Sequence, residues 1–264
     1  MKNYIKTNKK KIFIYVGIVI GVIILLMPDH SEHLEVEQET LATAPQMMKE
    51  LSLEDKINRI LSINEDAISF AALTFQIDED VLINKLKENY ETLNFLEDEE
   101  NFDRILYDYL TSLENDENVL FGKIKNTDNQ NKEYIVNLIK YFTKVYSDVD
   151  FKIAAGIANV ESGYVSDTML KRNNIFGGLY SGRLIDFKSI EYGTFKYIKL
   201  LNDGYFNKGL NTVELIGSVY NPIKTDDGIK IAKPSWVNNV VNAMEQFNDV
   251  ADVDASLLIY AKNN

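Results

Sequence analysis

Residues 151–164 read FKIAAGIANVESGY. The pattern over 151–160 predicts an amphipathic helix, and Ala154, Ala155, Gly156 and Ala158 are small enough to let a second helix approach closely. The helix is expected to end at Glu161-Ser162-Gly163. A glutamate closing an apolar helix just before a Ser-Gly turn has a chemical rationale. The helix fixes the backbone, the apolar residues before it lower the local polarity, and the turn opens the carboxyl to a cleft. Partial desolvation raises a carboxyl pKa, so the group can stay protonated and donate a proton near neutral pH. The plain alternative is a solvated helix-end residue. The helix macrodipole disfavours a carboxylate at this end, so the placement is locally costly.

Working outward, Tyr134, Ile135, Leu138, Ile139 and Phe142 predict a helix before this one. After it, Gly177, Gly178, Gly182 and Arg183-Leu184-Ile185 suggest a short β-hairpin. Helical patterns resume at 190–201, 213–220 and 235–247. Residues 126–131 (NTDNQN) are turn-rich and mark an expected boundary. Before it the pattern is again helical from about 47 to 117, with Leu51, Leu53, Ile57, Ile60 and Leu61 in register, then Val81, Leu82, Leu86 and Tyr90. Ile77-Asp78-Glu79-Asp80 is the expected cap and start of the second of these runs. The fold class is therefore mainly α, an α+β body with one small hairpin.

Composition narrows the chemistry. The chain holds no cysteine, which excludes disulfides, thiolate metal sites and a cysteine nucleophile. Its two histidines, His30 and His33, precede any folded-looking region. Acid–base chemistry must come from carboxylates, tyrosine or lysine, and neither a metal nor a cofactor is expected. The net charge of −12 is uneven. Lys2, Lys6, Lys9, Lys10 and Lys11 account for five of the 28 basic residues, leaving 23 against 40 acidic ones, or −17 for the rest. So acidic a body repels phosphates, and nucleic acid is not an expected partner.

Residues 12–27, IFIYVGIVIGVIILLM, form an unbroken apolar run. As a helix it spans roughly 24 Å, a little short of a hydrocarbon core of about 30 Å, and flanking residues can extend it. Lysines before it and Asp29, Glu32, Glu35, Glu37 and Glu39 after it put the N-terminus inside and the body outside. The favoured expectation is an uncleaved signal anchor, with the membrane as partner and the body facing the cell wall. The rival is a cleaved signal peptide, whose one A-x-A-like site, Ala42-Thr43-Ala44, lies far beyond the run.

Five segments occur in order: AAGIANVESGYVS, NNIFGG, DFKS, VYNP and SWVNNV. In this order the chain resembles the bacterial glucosaminidases of glycoside hydrolase family 73, over about residues 131–249. The resemblance implies a lysozyme-like, mainly helical fold and hydrolysis of the β-1,4 bond after N-acetylglucosamine in peptidoglycan. Glu161 falls on the family's general-acid position. Tyr220 matches the tyrosine that holds the intermediate or the substrate acetamido group, although a core tyrosine beside a Pro turn reads nearly as well. Asn173, Asn174, Phe176 and Gly177 match the turn lining the cleft floor, with Asn174 read as pinning that turn rather than touching sugar. Trp236 belongs to the closing helix and is expected to meet substrate. One departure is clear: the stretch 177–185 contains no Asp or Glu, where several members offer a second acid. Asp186, at its exit, is the nearest candidate, and the second group stays unassigned.

The expected organisation is a basic tail (1–11), a transmembrane anchor (12–28), a linker (29–46), a helical module (47–125), a glucosaminidase-like domain (126–250) and a C-terminal tail (251–264). The expected partner is the peptidoglycan glycan strand, with a further membrane-protein partner left unidentified. Two rivals stand beside this reading. A lytic transglycosylase shares the fold and the single glutamate, but its usual Gly-Leu-Met-Gln segment is absent. A non-catalytic wall-binding component of an envelope-spanning apparatus is the other.

Overall fold

The computed structural model describes residues 51–96, 98–114, 132–163 and 170–263. The expected basic tail, anchor and linker, and the turn-rich stretch 126–131, lie outside the described residues. Among the described residues no helix is long and apolar enough to cross a membrane.

The described chain is mainly helical. In order it runs α1 (Leu53–Ile63), α2 (Glu65–Phe75), α3 (Glu79–Glu88), α4 (Tyr90–Leu93), α5 (Phe102–Leu113), α6 (Lys132–Val145) and α7 (Phe151–Ser162). The hairpin β1 (Leu179–Tyr180) and β2 (Arg183–Leu184) follows, then α8 (Ile190–Gly204) and α9 (Val213–Tyr220). A second hairpin, β3 (Pro222–Lys224) and β4 (Lys230–Ala232), leads to α10 (Pro234–Met244) and α11 (Ala255–Asn263). Several helices start on a side-chain cap. Asp78 accepts from Val81 N at 3.1 Å, as its sequence predicts, and Asp150, Ser189 and Thr212 do the same for α7, α8 and α9. Each satisfies an amide that the helix itself leaves unpaired.

The stretches divided in sequence near residue 125 share one hydrophobic core. Phe75 of α2 lies 5.2 Å from Phe195 of α8 and 6.0 Å from Tyr107 of α5, ring centre to ring centre. Phe142 of α6 closes the cluster at 5.7 Å from Phe195. Lys188, just before α8, donates to the Phe75 carbonyl at 2.8 Å. The first helices are thus packed into the body through aromatic side chains that local periodicity cannot assign to a partner.

Two features differ from expectation. Residues 251–264, read as a tail, contain α11, which buries Ala255 and Leu258 against α2 and α6. The second hairpin was not expected either. It pairs Pro222 with Ala232, Ile223 with Ile231 and Lys224 with Lys230, and turns through Gly228 at φ +80°. Asp227-Gly228 between two Lys-Ile stretches is the turn signal that marks it.

The small residues of α7 do what their size suggests. A Cβ on Gly156 would stand 2.8 Å from Met244 Cγ and 3.0 Å from the Val240 carbonyl, so α7 and α10 are in near backbone contact. That contact sets Glu161 of α7 against Trp236 of α10.

Candidate active site

α7 ends where the sequence predicts. Gly163 takes the left-handed conformation at φ 58°, and its N–H closes on the Asn159 carbonyl at 2.8 Å. Glu161 sits in the last turn, half-buried. Its Oε1 accepts a hydrogen bond from Trp236 Nε1 at 3.0 Å. Burial pushes the Glu161 carboxyl above the ordinary glutamate range, and the indole N–H pulls it partly back.

The turn at 173–178 is built by its two asparagines. Asn173, at φ 51°, donates to the Phe187 carbonyl at 2.9 Å. Asn174 is fully buried and donates to the carbonyls of Gly178 (2.9 Å) and Ile185 (3.0 Å), while accepting from Gly178 N at 3.0 Å. Its side chain therefore stitches the turn to the exit of the first hairpin, in the pinning role the sequence suggested. Ser162 Oγ donates to the Ile175 carbonyl at 2.6 Å, tying the end of α7 to the same turn. α8 presses in from behind: a Cβ on Gly193 would fall 2.1 Å from the Asn173 carbonyl, so only glycine fits there.

These elements enclose a cleft of about 620 Å³, bordered by Glu161, Phe176, Tyr197, Leu200, Tyr220 and Asn221 among others. Tyr220 donates its hydroxyl proton to the Phe176 carbonyl at 2.8 Å, and its ring lies 5.6 Å from that of Trp236 at 29°. Burial, with the nearby Glu161 charge, pushes the Tyr220 hydroxyl well above the ordinary tyrosine range. Phe176 stacks on Tyr197 with planes 11° apart. Apolar walls with a few convergent polar groups are the usual make-up of a ligand cleft.

The sequence-derived residues separate on this geometry. Glu161, Asn174, Phe176, Gly177 and Tyr220 border one cleft. Asn173 and Trp236 do not border it. Trp236 is 5 % exposed, so the expected substrate contact gives way to a place behind the acid. Asp186 is bound by Arg172 at 2.8 Å, exposed, and absent from the cleft lining. Among the described residues that border the cleft, Glu161 is the sole carboxylate. Sequence reasoning missed Lys196, Tyr197 and Leu200, which bring one side of α8 to the cleft. Their i, i+1 and i+4 spacing was legible as one side of a helix, but not as one facing a cavity. Among the described residues no cluster of His, Cys, Asp or Glu is arranged to hold a metal.

Comparison with protein-family models, with characterised proteins and with solved structures finds no match to this chain.

Proposed function

We propose that this chain is a glycoside hydrolase that cuts peptidoglycan glycan strands at N-acetylglucosamine β-1,4 linkages, with Glu161 as general acid, on a lysozyme-like fold held at the outer membrane face by the N-terminal apolar run. The observation that carries this is a partly desolvated glutamate, the sole carboxylate among the described lining residues of a cleft of about 620 Å³ with mainly apolar walls and few polar groups. Burial that raises a carboxyl pKa favours its protonated form, and the proton it then holds goes to the departing glycosidic oxygen as the C1–O bond breaks.

With no second carboxylate among the described lining residues, the substrate supplies the nucleophile. The acetamido carbonyl oxygen of N-acetylglucosamine attacks C1 as the leaving sugar departs, one of the known exceptions to the two-carboxylate scheme. Water then attacks C1, the acetamido bond to C1 breaks, and the water's proton returns to Glu161. Tyr220 suits this path. Its proton is committed to the Phe176 carbonyl, so its oxygen keeps lone pairs to accept the acetamido N–H.

The same lone acid favours one second reading, a lytic transglycosylase, in which the C6 hydroxyl of muramic acid replaces water. Mass spectrometry of strands digested by the full-length chain separates the two. Reducing N-acetylglucosamine ends are the expected result, and 1,6-anhydromuramic ends would overturn the hydrolase reading.

A further inference from the structure

We propose that Trp236 is the positioning residue of the acid: its indole N–H holds Oε1 of Glu161 and so leaves Oε2 as the oxygen that carries and delivers the proton. This rests on reading Glu161 as the acid. The geometry is a 3.0 Å bond from a side chain that is 5 % exposed and cannot move freely. α10, which bears Trp236, is locked to α7 at Gly156, and a Cβ on Gly217 of α9 would stand 2.9 Å from Trp236 Cζ3. The indole is thus gripped from two helices while its ring backs Tyr220.

Indole N–H is a donor and never an acceptor. In the neutral acid this favours Oε1 as the carbonyl oxygen, the better acceptor, with the proton on Oε2. In the carboxylate the same N–H stabilises the charge. One bond serves both protonation states without a change of role, which a hydroxyl or imidazole could not guarantee. Other titratable groups near Glu161 come from two helices. Tyr220 of α9 borders the cleft with Tyr205 behind it, and Tyr197 and Lys196 of α8 border it too. Lys196 is engaged by Glu114 at 2.9 Å, while the bond to the acid's Oε1 comes from Trp236 Nε1.

Trp236 is the single tryptophan of the chain, so its indole resonance is assigned without ambiguity. In the ¹⁵N-labelled full-length chain, titrated from about pH 4 to 8, that resonance should shift with one midpoint above the ordinary glutamate value of about 4.3. The shift should vanish in Glu161→Gln. An indole that stays flat, or that titrates equally in Glu161→Gln, overturns the proposal. Trp236→Phe supplies the kinetic test, since it keeps the ring and removes the donor. The descending limb of the kcat–pH profile should move to higher pH by about half to one unit, a roughly 3- to 10-fold gain in proton affinity, with KM within about twofold. A limb that stays or moves down, or a loss confined to KM, contradicts it. The titration needs no substrate, so it stands if glycan cleavage fails, and cleavage can stand if the titration fails.

Discussion

Replacing Lys262 with methionine should destabilise the folded chain far more than its position near the C-terminus suggests. Glu191, in the first turn of α8, is fully buried. Its Oε1 is bonded by the Tyr134 hydroxyl at 2.8 Å and by the Lys262 ammonium from α11. Its Oε2 is buried with no hydrogen-bond partner among the described residues. Lys262→Met leaves this carboxylate with the tyrosine alone. Breaking a buried pair by removing one partner costs about 3–5 kcal/mol. Lys262 keeps 19 % side-chain exposure, so water can reach the vacated place and the lower end, about 3 kcal/mol, applies. For a folded unit of this size about 3 kcal/mol lowers Tm by roughly 6–12 °C. Glu191→Gln combined with Lys262→Met removes both charges and should recover much of the loss, with a coupling energy of about 2 kcal/mol. Thermal unfolding followed by circular dichroism measures all three variants. A Lys262→Met chain melting within about 2 °C of the parent, or strictly additive changes in the double variant, would refute the buried-pair reasoning.

Asn174→Ala deletes three hydrogen bonds at the turn that carries Phe176 and Gly177, which costs about 2–4 kcal/mol and should lower kcat/KM at least tenfold; a melting curve and a glycan-cleavage assay check the two halves. Asp186→Asn removes an exposed ion pair worth under about 1 kcal/mol, and glycan cleavage should stay within about twofold of the parent. A hundredfold loss in that variant would make Asp186 the missing second carboxylate.

Much of the fold was legible because the signals were local. Asp78 as a cap, the stop of α7 at Gly163, the Gly-marked first hairpin and the span of α9 each rest on residues within one or two turns of each other. Asn174 was readable for the same reason, since its partners lie 4 and 11 residues away. What sequence did not show depends on distance along the chain. The Trp236–Glu161 bond joins residues 75 apart, and Lys262 meets Glu191 across 71. The sequence reads the lone tryptophan of the closing helix as meeting substrate, because nothing within a turn or two of it shows which carboxylate it faces. Likewise, the helical pattern from about 47 to 117 announces helices, but only packing reveals that α2 and α5 meet the core around Phe195.

The most direct test of Glu161 as the acid compares the parent and Glu161→Gln full-length chains on purified peptidoglycan, following released ends by mass spectrometry beside a melting curve. The amide keeps the side chain's shape and an acceptor oxygen for the Trp236 indole, but carries no proton to give. The rate should fall about 10²- to 10⁴-fold with Tm changed by no more than about 2 °C. Equal cleavage by the glutamine variant would contradict the assignment of Glu161 as the catalytic acid.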